Sequence, residues 1–347
     1  MAAVLPGQFN TFVKSHDASN KMVIDFARNI NKFAVNRYCQ IVPVKAPAGY
    51  YQQFTVEEAG RIQHTDLRNF VWYDGADAPQ GLDGTESFEF KDFRCQRYYY
   101  GFRVGNLAAE HASWNLVAQH SSIKARQAMT ARTQLAVTAA TTTGNYSASH
   151  VIDVTALSGN TGNWAQSTSA RQDIKRSILT GMETILDDTL GAVEMDDIVL
   201  VISSGLAKDI AGSQEFTDYL KGSPDAYMQI RGELPSRNGA AYGLPDKLYG
   251  VRVEVEATRK VTTKKGETTS RTSVLPKATP FMVARPGGLE GVADAPNFST
   301  LVMFALEEMT TEIKNDADNR RTIGRVVENI AVKNVAPATG ILFQNAA

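Results

Sequence analysis

Phe88-Glu89-Phe90-Lys91-Asp92-Phe93-Arg94-Cys95-Gln96-Arg97-Tyr98-Tyr99-Tyr100-Gly101-Phe102-Arg103-Val104 is the stretch on which the fold turns. Alternation runs through Phe88/Phe90, Phe93/Cys95 and Tyr98/Tyr100/Phe102/Val104, the period of a β-strand. A second aromatic β stretch, Tyr50 to Val56, precedes it. Between the two lie Asp74-Gly75, Pro79, Gly81 and Asp83-Gly84, which are turn chemistry. The pair reads as one long two-stranded ribbon. Such a ribbon is marginal alone in water, and Phe70, Trp72 and Tyr73 near its tip demand a surface. Two surfaces satisfy that demand: the ribbon folds back on this chain's own core, or it lies over a neighbour.

Working outward, Asn106 to about Thr138 contains no Pro or Gly and reads as one helix, on the order of 45 Å long at 1.5 Å per residue. Leu107, Trp114, Ala128 and Leu135 share one stripe, and Leu116 and Ile123 a second, so it reads as a spine with one covered side. Thr138 to Gly162, rich in Thr, Ser, Gly and Asn, is a loop and a boundary. On the N-terminal side, Asp17 or Ser19 caps a helix whose Val23, Phe26, Ile30 and Phe33 form a narrow apolar stripe, suited to lying along another surface. Up to residue 45 this arm has six basic residues, among them Lys21, Arg28 and Lys32, against two acidic ones. That balance fits either a solvated helix face or an arm facing an acidic neighbour or packaged nucleic acid.

An α/β segment follows the boundary loop. Ser169 to Leu190 is an amphipathic helix with Ile174, Ile178, Leu179, Met182, Ile185 and Leu186 inward. Ile198 to Ile202 is a continuous apolar run, hence a strand buried on both faces, and Ser203 or Ser204 caps a helix through Ile210. Leu248 to Val255 reads as another strand, Thr262 to Thr269 as a polar hairpin tip, and Phe281 to Ala284 as one more strand. Leu301 to Ile313, Thr322 to Val335 and Ile341 to Phe343 read as strands of a closing antiparallel sheet, with Asn315 to Asn319 as a turn.

Composition bounds the function. The 347 residues are 43% hydrophobic and 21% charged, which is globular material. Thirty-six basic against 37 acidic residues give a net charge of -1, so the whole surface is no electrostatic nucleic-acid binder. Cys39 and Cys95 fit no metal spacing and read as reduced thiols. Met1 to Asn10 lacks a signal-peptide pattern, and no apolar run approaches about 18 residues, so the expectation is a protein neither exported nor in a membrane.

No catalytic arrangement stands up. Ser121-Ser122-Ile123-Lys124 has the S-x-x-K spacing of penicillin-recognising enzymes without its companion motifs. His111 and His120 are too far apart for a zinc pair. Asp316 and Asp318 begin like a calcium loop, but Arg320 and Arg321 stand where ligands and glycine belong. Gly287-Gly288 opens no helix and cradles no phosphate. The expectation is a protein that is not an enzyme, with no cofactor and no metal.

The order of elements resembles the major capsid protein of tailed double-stranded DNA phages, whose fold is shared with encapsulins and the herpesvirus capsid floor. Asp197-Ile198-Val199-Leu200-Val201-Ile202-Ser203-Ser204-Gly205-Leu206-Ala207-Lys208-Asp209-Ile210 resembles the strand-then-helix signature of that family's axial domain. Leu248 to Val253 resembles its strand beginning near a glycine, and Asp316 to Arg325 the turn between strands of its peripheral domain. The resemblance implies an α+β fold with an N-terminal arm (1–48), an extended β-hairpin loop (49–105), a spine helix and loop of the peripheral domain (106–164), an α/β axial domain (165–299) and return strands of the peripheral domain (300–347). It implies a structural protein that self-assembles through hexamers and pentamers into an icosahedral head enclosing double-stranded DNA. The setting is the virion, after assembly in the host cytoplasm, with portal, scaffolding and decoration proteins as further partners. No helical prodomain precedes the arm, so no fused scaffold is expected. On this reading Phe26, Ile30, Phe33, Phe70, Trp72 and Tyr73 are the inter-subunit candidates, and Lys21, Arg28 and Lys32 face DNA or an acidic partner. The alternatives are an encapsulin-type compartment around a protein cargo, and an α/β enzyme whose site carries no recognisable motif.

Overall fold

The computed structural model describes residues 33–54, 88–112, 115–160, 162–191, 193–221, 242–264, 266–285 and 299–347. Of the candidate interface residues, Phe33 falls within this set. Lys21, Phe26, Arg28, Ile30, Lys32, Phe70, Trp72 and Tyr73 lie outside the described residues.

In chain order the elements are α1 (Val35–Tyr38), β1 (Gln40–Pro43), β2 (Ala48–Phe54), β3 (Phe88–Arg94), β4 (Gln96–Gly105), α2 (Asn106–His111), α3 (Leu116–Thr141), β5 (Val151–Asp153), α4 (Asp173–Asp188), β6 (Ile198–Ser203), α5 (Ser204–Ala211), α6 (Gln214–Leu220), β7 (Lys247–Leu248), β8 (Val251–Glu256), β9 (Arg259–Val261), β10 (Arg271–Ser273), β11 (Phe281–Ala284), β12 (Leu301–Asp316), β13 (Arg321–Asn334) and β14 (Gly340–Gln344). Two larger sheets organise them. One is six-stranded, ordered β5-β14-β11-β6-β8-β7, and the other four-stranded, ordered β1-β12-β13-β4.

The run Ile198 to Ile202 explains why the two sheets belong to one body. Every residue of β6 is buried, and period-2 geometry sends alternate side chains to opposite faces. Ile198, Leu200 and Ile202 enter a core with Ile174, Ile178, Met182 and Ile185 of α4 and with Leu206 and Ile210 of α5. Val199 and Val201 enter a second core with Tyr38 of α1, Met129, Ala136 and Ala140 of α3, and Leu301 and Met303 of β12. The six-stranded sheet therefore rests on α4 and α5 by one face, and on α3 and the four-stranded sheet by the other. At the end of β6 the Ser203 hydroxyl accepts from the Leu206 N–H at 3.2 Å, the expected cap of α5.

Helix α4 takes its first-turn partner from elsewhere. Gln172 sits at φ 52° and makes no cap bond. Instead the buried Glu215 carboxylate accepts from the N–H groups of Ile174 and Lys175, each at 3.1 Å, and from the Tyr249 hydroxyl at 2.8 Å. A carboxylate at a helix N-terminus satisfies orphan donors and opposes the helix dipole.

The structure corrects several expectations. The spine is two helices: Ala112 is extended, and Asn115 starts α3 by accepting from the Ala118 N–H at 3.0 Å. Its covered face is Ala128, Met129, Arg132, Thr133, Ala136, Val137 and Ala140, while Leu107 is exposed. Leu179 points outward from α4. The stretch Leu248 to Val255 is no single strand: Tyr249 (φ 50°) and Gly250 (φ 92°) form a tight turn joining antiparallel β7 and β8, as two positive-φ residues do in hairpins. Finally, β14 leaves the closing sheet and inserts between β5 and β11. Pro337–Thr339 forms a short 3-10 turn after β13. Ile341 and Phe343 then face one core and Leu342 the other, a requirement met in the six-stranded sheet, which is covered on both sides there.

Candidate inter-subunit surfaces

The ribbon's base is fixed to its own chain by one face. Strands β2 and β3 pair antiparallel, Gly49 opposite Phe93 and Tyr50 opposite Asp92. Gly49 lacks the Cβ that would crowd the Phe93 ring, leaving that ring room. Phe93 stacks on Phe304 of β12 at 4.1 Å between centroids and 12° between planes, and Tyr51 stacks on the same ring at 5.9 Å. Phe93, Cys95, Val302, Phe304 and Ala331 form the third core. Because Val302 and Phe304 alternate with Leu301 and Met303, this core lies on the sheet face opposite α3. The ribbon's other face is bare: Tyr50 is 77% and Phe90 62% exposed. Sequence reasoning did not single out these two aromatics. Strand alternation says that one face is covered but not which.

The root of the arm is also anchored at home. Phe33 packs half-buried against the second core, beside buried Ala34 and Val35. The fully buried Tyr38 meets Phe281 edge-to-face at 5.7 Å, and its hydroxyl donates to Glu256 Oε2 at 3.3 Å. Burial first, and then the charge of Glu256, push the Tyr38 hydroxyl well above its ordinary range. Arg37 Nε pairs with Glu254 Oε2 at 3.0 Å, and Arg285 donates to the Asn36 carbonyl. Of the arm's apolar stripe, then, the last member, Phe33, packs on the core of its own chain.

A buried ion pair ties α3 to the four-stranded sheet. Arg132 donates from Nη2 at 2.8 Å and from Nε at 3.2 Å to Glu328 Oε2 on β13. Burial pushes the Glu328 carboxyl up, and Arg132 pulls it down less strongly. Tyr100 beside it is pushed up to about 12, chiefly by burial and then by Glu328.

Of the chemistry-bearing residues singled out in the sequence, Gly287 and Gly288 lie outside the described residues. Ser121 and Lys124 lie on α3, and His120 stacks with Phe102 at 5.9 Å. Asp316 accepts from Asn319 and pairs with Arg321 at 2.8 Å, and these bonds hold its carboxyl below the usual range. Both cysteines are free and buried, and burial pushes Cys39 up to about 12, the opposite of a nucleophile's requirement. His150 is buried between the Gly340 carbonyl (2.7 Å) and Asp188 (2.6 Å). Among the described residues there is no group of three or more His, Cys, Asp or Glu placed to hold a metal, and no helix is long and apolar enough to cross a membrane.

In this chain a six-stranded and a four-stranded sheet both pack on α3, and the β2–β3 ribbon is rooted on the face of the four-stranded sheet opposite that helix. No protein-family model matches the sequence, and no curated protein matches it. Solved structures do. The chain is similar to a phage-related protein from Bordetella bronchiseptica RB50 (15% identity, 100% of this chain and 98% of that chain covered, TM-score 0.60). It is similar to the mature capsid of bacteriophage PhiM1 (14% identity, 89% and 86% covered, TM-score 0.52). It is also similar to the holo-SrpI encapsulin complex from Synechococcus elongatus PCC 7942 (9% identity, 92% and 89% covered, TM-score 0.50). At these identities the likeness is one of fold: the chain is α+β and has the tailed-phage major capsid fold.

Proposed function

We propose that this chain is a structural, non-catalytic shell subunit, a major capsid protein that self-assembles into an icosahedral phage head enclosing double-stranded DNA. The observation that carries the reading is a capsid fold spanning nearly the whole chain, on which the ribbon base leaves Tyr50 and Phe90 uncovered. Residues 1–48 serve as the arm, 49–105 as the extended loop, 106–164 with 300–347 as the peripheral domain and 165–299 as the axial domain, with β4 of the loop paired to β13 in the peripheral sheet and β14 reaching into the axial sheet. Phe70, Trp72 and Tyr73 anchor the loop on a neighbour, as buried aromatics do at interface centres. Phe26 and Ile30 dock the arm, and Lys21, Arg28 and Lys32 meet DNA or an acidic neighbour. Identical subunits joined head to tail close into rings when the rotation allows. Many weak contacts engaged at once then make a shell far more stable than one interface.

The fold likeness to an encapsulin complex supports a second reading, a compartment around a protein cargo. Negative-stain microscopy and sedimentation of the purified protein test both. Closed particles holding nuclease-protected DNA support the capsid reading. Particles that co-purify with a cargo enzyme replace it with the compartment reading. A homogeneous monomer under all salt and crowding conditions refutes both.

A further inference from the structure

Strand β12 is 16 residues long, yet its outer edge is covered over only a quarter of that length. Strand β1 pairs with Val302 to Ala305, and the Val44 N–H adds one bond to the Ala305 carbonyl. Beyond Ala305, among the described residues, no strand lies on the side of β12 away from β13. On the β13 side the register shifts between Ala305 and Thr310, and from Thr310 to Asp316 the ladder is unbroken. Every second residue of such a ladder turns its N–H and C=O away from the partner strand. Residues 310–316 therefore present a regular edge on which another strand can add. Residues 310–315 are all exposed, Ile313 at 57%, and because side chains alternate, both faces of this edge are bare.

The side chains along this edge complement the same edge run backwards. Resting on the shell-subunit reading above, we propose that residues 310–316 of β12 pair antiparallel with the same residues of a second copy, about a twofold axis at Ile313, and so join one ring of subunits to the next. Such an axis, perpendicular to the sheet, keeps every side chain on its own face. Glu312 then lies opposite Lys314 of the second copy, twice over, with Thr311 opposite Asn315 and Ile313 opposite Ile313. Glu312 already bonds Arg325 across the β12–β13 ladder, and Lys314 makes no ion pair among the described residues. The pairing thus builds a row of alternating charge, Arg325, Glu312 and the second copy's Lys314. Ile313 faces Gly324 on β13, which offers it no side chain and lies under the Phe102 ring; a second Ile313 supplies the missing neighbour. Moving the axis by one residue sets Glu312 on Glu312 or Lys314 on Lys314, which like-charge repulsion opposes. The contact is short, bounded by the register shifts at one end and the turn after Asp316 at the other. It gains strength from repetition around a shell and yields before the rings do.

Cysteines on the exposed edge of the full-length protein read the register directly. Opposed residues of paired strands stand about 4.5–5.5 Å apart at Cβ, near enough for two cysteines to close, and both native cysteines are buried. Oxidised particles of I313C should yield disulfide dimers. T311C alone and N315C alone should yield none, while particles assembled from a mixture of the two should. Particles without I313C dimers, or with T311C dimers, overturn the pairing. Charge reversal gives an independent arm: K314E should lower the yield of closed particles about tenfold or more at low salt, leave free rings, and recover as salt is added. Normal particles from K314E at low salt also overturn it. Amide exchange at 310–316 should be fast in the free subunit and slow in particles; slow exchange in the free subunit means that another segment of the same chain covers the edge, and the proposal fails. Wild-type protein that never forms closed particles sinks the shell reading and this pairing with it. Closed wild-type particles without these effects sink the pairing alone.

Discussion

Replacing Arg132 by Met should cost this subunit about 3–5 kcal/mol, the range for stripping one partner from a buried ion pair. The geometry justifies the upper class of effect. The side chains of Arg132 and Glu328 are 9% and 1% exposed, and both guanidinium contacts converge on Oε2. Glu328 Oε1 makes no hydrogen bond among the described residues, so Arg132 alone offsets the desolvation of this carboxylate. With an unfolding entropy of about 2.1 cal/mol/K per residue over this chain, that loss corresponds to a melting point lower by roughly 4–7 °C. The double variant R132M/E328L, in which the charges leave together, should lie within about 1 kcal/mol of wild type or above it. Denaturant unfolding of the unassembled subunit measures all three. If the single change costs under about 1 kcal/mol, or the double is as damaging as the sum of the singles, the pair is not a desolvated unit and the reasoning fails.

The same cycle carries a pH signature. Burial raises the folded-state pKa of Glu328 above its ordinary value. The folded protein thus holds that proton to higher pH than the unfolded chain does. The stability it contributes is present in full below the unfolded value and is lost as pH rises through the raised folded value. Removing Arg132 deletes the two influences that pull the carboxyl down, which extends the loss to still higher pH. The gap between wild type and R132M should therefore widen as pH rises above the ordinary carboxylate range. A gap that narrows reverses the sign and refutes the argument.

Replacing Arg61 to Thr85 by an Asn-Gly turn leaves the Phe93–Phe304 anchor intact, so subunit melting should scarcely move while particle formation fails; normal closed particles would remove the loop's clamping role. In the arm, Lys21, Arg28 and Lys32 changed to Gln should weaken particles most at low salt, whereas F26A/F33A should weaken them at every salt concentration, and F33A alone should also destabilise the free subunit. Equal salt sensitivity of the two sets, read by sedimentation, rejects that division. Gly324→Ala would thrust a Cβ into the Phe102 ring, with which it is paired across strands, and should cost about 1–3 kcal/mol; F102L in the same chain should recover most of it, and an undamaged single variant would show that the ring yields freely.

How much of this was legible depends on whether the deciding signal was local. Strand β6 was readable because an unbroken apolar run needs two cores, and Ser203 because a cap lies three residues from its donor. Strands β12 and β13 were readable from length and the intervening turn. The sheet membership of β14 was not, since Ile341-Leu342-Phe343 is equally apolar wherever it pairs. The cap of α4 comes from Glu215, about forty residues away, and no local pattern announces such a partner. The break before Asn115 was written in its capping side chain, but a long stretch without Pro or Gly outweighed it. In the ribbon, the pairing of β2 with β3 was legible from alternation, but the departure of β4 to pair with β13 was not. Nor was the ribbon's bare face, Tyr50 and Phe90, because period 2 fixes alternation and leaves the choice of face to the packing of Phe304.

That choice of face governs what the subunits can build. The ribbon is rooted on the face of the four-stranded sheet opposite α3, so on the shell-subunit reading the loop and the surface that receives it on the next copy are different patches. Two subunits related by a twofold axis would have to satisfy both contacts across one shared patch, which different patches resist. A head-to-tail arrangement satisfies one contact per junction and leaves a free loop at one end and a free receiving surface at the other, so it grows until rotation closes a ring. Mild dissociation of particles should accordingly release five- and six-membered rings and single subunits, with dimers no more abundant than other fragments, as native mass spectrometry would resolve. A predominant dimer that survives after the rings have come apart would mean that the strongest contact is isologous, and that the ribbon is not one half of it.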